Sequence, residues 1–374
     1  MNYISLHLRS ALGLGLLALV AGCADDARAP STASDDLSDQ ELHFTSSTLP
    51  PFRDLRLDTA PDASMVASYV DVEDNLVVAR SKDHGVHWTT MSTIRHVGRG
   101  ARIVAAPSNA NVLYLTRVGY YSWGGAPADP KQPGDLEGLF LRSEDGGKTW
   151  QNRTASLPAV SQGLGFDTLD INPTNDQHLV TANCEGVQKS LDGGQSWSAI
   201  PGSKQALGDC NSSDLFRGIN DRKTIYTLSS VGEGGGSVMM RSIDDGATWQ
   251  VAAMNVDADY MIGLRGLVVH PDDARHVYLT DMNGFYSSAN GGDQFHQHTR
   301  NLGADPSNVA VNPSNGALYI SAGDTIYRWT PGAEPQNGHW SAVAQIPNAR
   351  LGEPKIADGN LYVTTDTQLL IAPL

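Results

Sequence analysis

The chain has 374 residues, with 41 acidic against 26 basic side chains and a formal net charge of −15. That balance, with no basic stripe along the chain, excludes nucleic acid as a partner, because such binding draws its affinity from phosphate neutralisation. Three cysteines occur, and the sequence carries no cofactor motif and no metal-ligand set, so neither a cofactor nor a metal is expected.

In chain order, Arg9 precedes a short apolar stretch, Ala11 to Val20, which runs into Val20-Ala-Gly-Cys23. The stretch is too short for a permanent membrane span and reads as an export signal. Its end resembles a bacterial lipobox. That resemblance implies cleavage before Cys23, lipidation of Cys23, and attachment to the cell envelope through the N-terminal lipid alone, on the periplasmic or the cell-surface side. Residues 1–22 are thus expected to be the signal peptide. Residues 23–40, mostly Ala, Ser, Asp and Pro, are too poor in core formers to fold and are expected to be a disordered tether. Residues 41–374 are expected to form the folded domain, as a monomer.

Within that domain one octet recurs. Ser81-Lys-Asp83-His-Gly85-Val-His-Trp88 is followed by Ser143-Glu-Asp145-Gly-Gly147-Lys-Thr-Trp150, Ser190-Leu-Asp192-Gly-Gly194-Gln-Ser-Trp197 and Ser242-Ile-Asp244-Asp-Gly246-Ala-Thr-Trp249. A fifth copy keeps the frame with altered letters, Ser288-Ala-Asn290-Gly-Gly292-Asp-Gln-Phe295. The aromatic ends recur at intervals of roughly 50 residues, which marks a repeat architecture. In each octet Asp or Asn accepts bonds from the turn's own amides, Ser adds a local bond, Gly supplies positive φ, and the aromatic ring covers the hairpin. A catalytic acid has no reason to recur once per repeat, so these carboxylates read as turn chemistry.

Upstream of each octet lie short β-branched and aromatic runs bounded by Pro, Asn and Gly, such as Val104-Ala-Ala-Pro107 with Val112 to Leu115, and Leu267-Val-Val-His-Pro271 with Val277 to Leu279. No long helical periodicity appears. One unit is therefore a four-stranded antiparallel meander, A to D, with the octet joining C to D. Such meanders repeated radially give an all-β fold, a single β-propeller, with seven blades expected and six as the alternative. Blades one to five end in octets. Blade six, Val309 to Trp340, has a longer turn between Thr330 and Gly338 in place of the octet. Blade seven has only three strands before the chain ends, and Glu41-Leu-His-Phe-Thr45 is expected to supply the fourth and close the ring.

The octets resemble the Asp-box repeats of sialidases, sortilin and the family 74 glycoside hydrolases. The whole unit, with its hydrophobic run, Pro turn and Val-Tyr strand, looks most like the sortilin and xyloglucanase branch, and is also similar to the photosystem II assembly propeller. The resemblance spans roughly residues 60 to 345. It implies the fold and leaves the activity open, since this superfold hosts enzymes, receptors and assembly factors.

Function is expected on the face opposite the octets, built from the B–C and D–A loops. The longest of these holds Tyr120, Tyr121 and Trp123, which would stack on a sugar, bind a protein, or pin their own loop to the propeller. Acids recur in the B–C loops: Asp74, Asp135, Glu185, Glu233, Asp281, Asp324 and Asp366. They would focus negative potential at the central channel, or simply serve the turns they occupy. Cys184 and Cys210 fall on loops that open at this same rim, and in an exported chain are expected to pair as a disulfide. Tyr278-Leu-Thr-Asp281-Met-Asn-Gly284 resembles the segment carrying the catalytic Asp of family 74 enzymes, which implies a catalytic Asp281, though Asn283 replaces a Gly of that pattern and the same letters also make a plain hairpin. A second carboxylate would have to come from Asp167, Asp257 or Asp259. A sialidase would need three placed arginines and an Arg-Ile-Pro start, where this chain has Phe52-Arg-Asp54. Two functional readings follow: a non-enzymatic module binding an envelope protein or glycan, or a single-propeller glycoside hydrolase.

Overall fold

Seven separate four-stranded antiparallel meanders account for nearly every strand in the computed structural model, and almost no helix accompanies them. The structure describes residues 42–95, 101–117, 138–157, 168–183, 186–204, 210–218, 223–231, 237–256, 266–281, 284–299, 302, 306–307, 309–330 and 338–374. Blade 1 is Arg53–Thr59, Met65–Val70, Leu76–Ser81 and Thr89–Ile94. Blade 2 is Arg102–Ala105, Leu113–Arg117, Leu139–Ser143 and Gln151–Asn152. Blade 3 is Thr168–Ile171, Leu179–Asn183, Gly186–Ser190 and Ser198–Ala199. Blade 4 is Cys210–Arg217, Ile225–Val231, Ser237–Ser242 and Gln250–Val251. Blade 5 is Gly266–Val269, Val277–Asp281, Gly284–Ser288 and Gln294–Thr299, with Asn255–Val256 added in parallel at its outer edge. Blade 6 is Ala310–Val311, Leu318–Ala322, Thr325–Thr330 and His339–Gln345. The protein is a seven-bladed β-propeller.

Burial explains why these runs become strands at these radii. The second strands are sandwiched between neighbouring blades, and Met65–Val70 and Leu113–Arg117 are buried along their whole length. Outer strands such as Gln151–Asn152 are exposed. The first strands of neighbouring blades touch one another, as Arg53–Thr59 does Arg102–Ala105 and Cys210–Arg217 does Gly266–Val269, so the A strands line the axis.

Ring closure uses the N-terminal segment, a little downstream of the expected residues. Blade 7 is Lys355–Ala357, Asn360–Thr364 and Leu369–Pro373, and its outer strand is Thr45–Ser46, with Thr45 opposite Ile371 and Ser46 opposite Leu370. Leu42 instead donates its N–H to Val343 O of blade 6 at 3.0 Å, and Leu42 and Phe44 pack into the apolar seam of Tyr319, Val343, Leu361 and Val363. Hydrophobic burial claims Leu42 and Phe44 for the seam between blades 6 and 7, which leaves polar Thr45 and Ser46 for the sheet edge.

All five octets fold alike, the altered fifth included. The Ser hydroxyl donates to the Asp or Asn Oδ1 at 2.8 Å in Ser81–Asp83 and 2.9 Å in Ser288–Asn290. It also accepts the Gly N–H, at 2.9 Å for Gly85 and 2.7 Å for Gly194. The same Oδ1 accepts the N–H of the seventh residue, at 2.9 Å for His87, Thr149 and Ser196, 2.8 Å for Thr248 and 3.0 Å for Gln294. These bonds depress the acids. The His87 amide and ring bring the Asp83 carboxyl to about 2, and the Thr149 hydroxyl and amide bring Asp145 to about 2.

The octet glycine explains why the turn lies between blades. Gly194 has φ +84°, and a Cβ there would lie 2.3 Å from the Phe140 ring of the preceding blade. Gly246 packs on Val180 and Gly292 on Met239 in the same way, while Gly85 meets Tyr362 and Ile371 of blade 7. The octets therefore bridge five junctions, 7/1 to 4/5. The 5/6 and 6/7 junctions have none. At 5/6 an aromatic cluster takes that place, with Phe285 5.1 Å from both Trp329 and Trp340, and His298 5.0 Å from Trp329 between ring centroids.

Candidate functional site

The face opposite the octets is built from the turns between second and third strands and from the D–A connections, and four of those turns carry described acids. In blade 1, Asp71 Oδ1 accepts the Glu73 and Asn75 N–H groups, both at 2.9 Å, and burial, which would raise its carboxyl, is outweighed by these bonds. Asp74 stands at φ +63° beside Arg53, with which it forms an ion pair at the surface. Between them Val72 projects into solvent, 84% exposed. In blade 6, Asp324 accepts the Thr325 hydroxyl at 2.9 Å and the Gln345 amide at 3.2 Å. In blade 7, Asp366 is exposed in a turn closed by Thr365 N–H to Gln368 O at 2.8 Å.

Asp281 differs from the other three. It ends the second strand of blade 5 and is 0% exposed. Its Oδ1 accepts the Gly284 N–H at 2.9 Å and its Oδ2 the Tyr286 hydroxyl at 3.0 Å, and Tyr286 in turn receives the Gln297 amide at 3.3 Å. The carboxylate closes its own hairpin and buttresses a tyrosine that packs in the 4/5 junction with Leu279 and Met239.

Asp74, Asp281 and Asp324 each have a partner within their own blade. Tyr120, Tyr121, Trp123, Asp135, Glu185, Glu233 and Cys184 lie outside the described residues, as do Cys23, Asp167, Asp257 and Asp259. Cys210 opens the first strand of blade 4, opposite Val231. Among the described residues no group of three or more His, Cys, Asp or Glu is placed to hold a metal ion.

Two sets of residues that the sequence reading passed over stitch the blades together. The residue before the octet Ser is Arg in three copies, and each of these arginines reaches forward: Arg80 to Ala110 O at 3.0 Å, Arg142 to Asp176 at 3.4 Å, and Arg241 to Gly291 O at 2.9 Å. A Ser on or just after the preceding blade's outer strand also reaches forward, donating to the carbonyl of the octet Gly, in Ser47 to Gly85 at 2.7 Å, Ser92 to Gly147 at 2.6 Å and Ser156 to Gly194 at 2.5 Å. The first set had a signal, the Arg-Ser pair repeated at Arg80, Arg142 and Arg241. The second had none, because a lone Ser in a polar edge strand looks like any surface Ser.

The family model described as Photosynthesis system II assembly factor YCF48 matches residues 134–358, more than half of the chain. The chain belongs to the YCF48 family. Among solved structures it is similar to YCF48 from Cyanidioschyzon merolae at 13% identity and TM-score 0.55, with 88% of this chain and 98% of that one covered. A second YCF48 structure, described as bound to D1 peptide, matches at 14% identity and TM-score 0.58 over 93% and 99% of the two chains. The GH74 enzyme of Niastella koreensis matches at 15% identity and TM-score 0.58, over 83% of this chain and 50% of the enzyme, so the chain spans about half that enzyme's length. At these identities the structural likeness establishes the propeller and nothing finer. No curated protein matches the chain.

Proposed function

We propose that this member of the YCF48 family is a lipid-anchored, non-enzymatic propeller of the cell envelope that captures a protein or glycan partner, a protein segment above all, and acts as a scaffold. The observation that carries this reading is the assembly-factor family match across most of the propeller. The YCF48 structure that holds a peptide supports a protein ligand. Burial of Asp281 beneath its own turn supports a structural carboxylate, since a general acid or nucleophile must reach the sugar. The binding surface in this reading is the face opposite the octets, with Tyr120, Tyr121 and Trp123 as anchors. Cys23 carries the lipid, and Cys184 pairs with Cys210.

Three measurements test it. Cys23→Ser should release the protein from the membrane fraction; a mutant that stays bound and mature in size removes the anchor from the proposal. Thiol labelling without reductant should leave Cys184 and Cys210 unmodified, and labelling of both defeats the disulfide. Purified ectodomain should bind without releasing reducing ends across a polysaccharide array, and Trp123→Ala should weaken partner capture by about 1–3 kcal/mol, the range of an aromatic hot spot. Polysaccharide cleavage that Asp281→Asn eliminates in a folded protein would establish the hydrolase reading instead.

A further inference from the structure

Two octets carry a non-glycine residue at the fourth position. Three octets place Gly there in the left-handed region, Gly146, Gly193 and Gly291, whereas the first places His84 at φ +56° and the fourth Asp245 at φ +60°. Asp enters that region more readily than most non-glycine residues, and Asp245 makes its contacts across the seam. Asp245 Oδ2 accepts the Asn172 amide at 2.5 Å and lies 3.3 Å from His178 Nδ1, both from the A–B turn of blade 3. Asp245 Oδ1 accepts Arg217 Nη1 at 2.7 Å, and Arg217 Nε is held by Asp170 of blade 3 at 2.8 Å. One carboxylate thus joins two blades through an imidazole, an amide and a shared guanidinium.

His178 is the member of this cluster that titrates near neutral pH. Its side chain is 12% exposed. Nδ1 faces Asp245, and Nε2 is buried with no hydrogen-bond partner among the described residues. The neutral imidazole, with its proton on Nδ1, suits this setting. A second proton would sit on Nε2, out of water and facing no acceptor, at the cost of an unsatisfied buried donor. The charged groups around the ring are Asp245 on the octet, Asp170 and Arg217 on the A strands, and Lys189 on the third strand of blade 3. Burial dominates, the Asp245 charge opposes it only in part, and the imidazole is held below its ordinary value. The same position in the A–B turns of blades 1, 2, 4, 5 and 6 is Ser64, Val112, Thr224, His276 and Ala317.

We propose that His178 and Asp245 form a pH-sensitive latch on the 3/4 junction, closed while the imidazole is neutral and loosened when it takes a second proton. The sign follows from the setting: the unfolded or opened chain binds the proton more tightly than the closed latch does. The latch is therefore at full strength above the ordinary histidine value and weakens as pH falls below it.

Hydrogen exchange of the full chain at pH 7.5 and 5.5, corrected for intrinsic rates, reads the latch locally. Residues 172–183 and 242–249 should lose up to about tenfold more protection on acidification than the histidine-free residues 139–152, the most that one group of ordinary value about 6.5 contributes at pH 5.5. His178→Gln keeps an amide donor toward Asp245 and cannot take the second proton, so it should make the two regions respond alike. Equal loss at every octet in the wild type, or an unchanged response in His178→Gln, overturns the proposal. The local readout matters because His270, in the A–B turn of blade 5, is also held low by burial and contributes to any global pH dependence. Should His178→Gln fail to fold, NMR titration of the His178 ring in the wild type decides: a midpoint at or above the ordinary histidine value overturns the latch.

Discussion

The octet-bearing junctions and the octet-free ones solve one packing problem by opposite means. Between blades 2 and 3, an eight-residue turn lays Gly194 against Phe140 and Ser156 donates to the Gly194 carbonyl, so a repeated turn makes the contact. Between blades 5 and 6, the junction is made by aromatic rings without a repeated turn, Tyr278, Phe285, His298, Trp329 and Trp340, packed at centroid distances of 5.1–5.7 Å. Between blades 6 and 7 it is made by Leu42 and Phe44, brought from the far end of the chain. A repeated turn adds a fixed contact to the apolar packing of its junction, whereas a junction without it rests on large side chains and long-range closure alone.

The comparison is broken most severely at the aromatic junction. Trp329 is buried against Phe285, His298 and Trp340, and a Cβ on Gly338 would overlap its ring. Trp329→Ala should cost about 3–5 kcal/mol, as for other buried large-to-small changes. Thermal unfolding of the variant checks this. A loss under about 1 kcal/mol would mean that the aromatic cluster does not hold the junction.

Glycines then separate the two kinds of blade. Gly194→Ala meets both a positive φ and the Phe140 ring, so its cost should be about 2–5 kcal/mol. Gly359, in the A–B turn of blade 7, also has positive φ, at +72°, but nothing lies within 4 Å of where its Cβ would be. Gly359→Ala should therefore cost only the backbone strain, about 1–2 kcal/mol. Equal losses in denaturant melts of the two variants would remove the inter-blade role of the octet glycine.

A smaller effect tests whether the N-terminal segment is a true blade strand. Ser47 in that segment makes the bonds that Ser92 makes in blade 1: each donates to an octet Gly carbonyl and accepts a Trp indole N–H at 2.9 Å, from Trp88 and Trp150 respectively. Ser47→Ala and Ser92→Ala should each cost about 1–2 kcal/mol. Ser47→Ala should be the milder, since the Trp88 N–H also reaches Gly85 O at 2.7 Å. A Ser47→Ala variant as stable as wild type would mean that the closing strand frays in solution.

Legibility divides along the same line. The octets announced their turns because Ser, Asp and Gly are the residues that such a turn's bonds and φ values require, and even Ser288 to Phe295, with Asn290 for Asp, kept enough of them. Blade number followed from the spacing. The closing strand was legible in kind but not in register, because nothing in Glu41 to Ser46 says that Leu42 and Phe44 prefer the seam to the sheet edge. The letters around Asp281 resemble a catalytic segment and also spell a plain hairpin. The burial of Asp281 under Tyr286 depends on a tyrosine five residues on that points back across the hairpin, a contact that one strand's letters do not reveal. The Arg217, Asp245 and His178 cluster was invisible for the same reason, since its members come from two blades.

The smallest expected effect concerns acid, and the fifth octet supplies the internal control. Hydrogen bonds from Thr149 hold the Asp145 carboxyl at about 2, and at Asp192 the bonds from Ser196 and Ser190 outweigh burial to reach about 2 as well. Both lie below the unfolded value near 3.9, so the stability that they contribute is fully present above that value and is lost as pH falls from about 4 through 2. These carboxylates are largely solvated, so water screening keeps each contribution small. Asn290 makes the same turn bonds with nothing to titrate, Ser288 donating at 2.9 Å and Gln294 at 3.0 Å. Asp192→Asn should therefore copy the fifth octet. Its turn persists, and the stability difference between pH 4.5 and pH 2.5 in urea melts becomes smaller than in wild type. An unchanged difference would show that the octet acids are as easily protonated in the folded protein as in the unfolded chain, and that their hydrogen bonds hold the turn without favouring its charge.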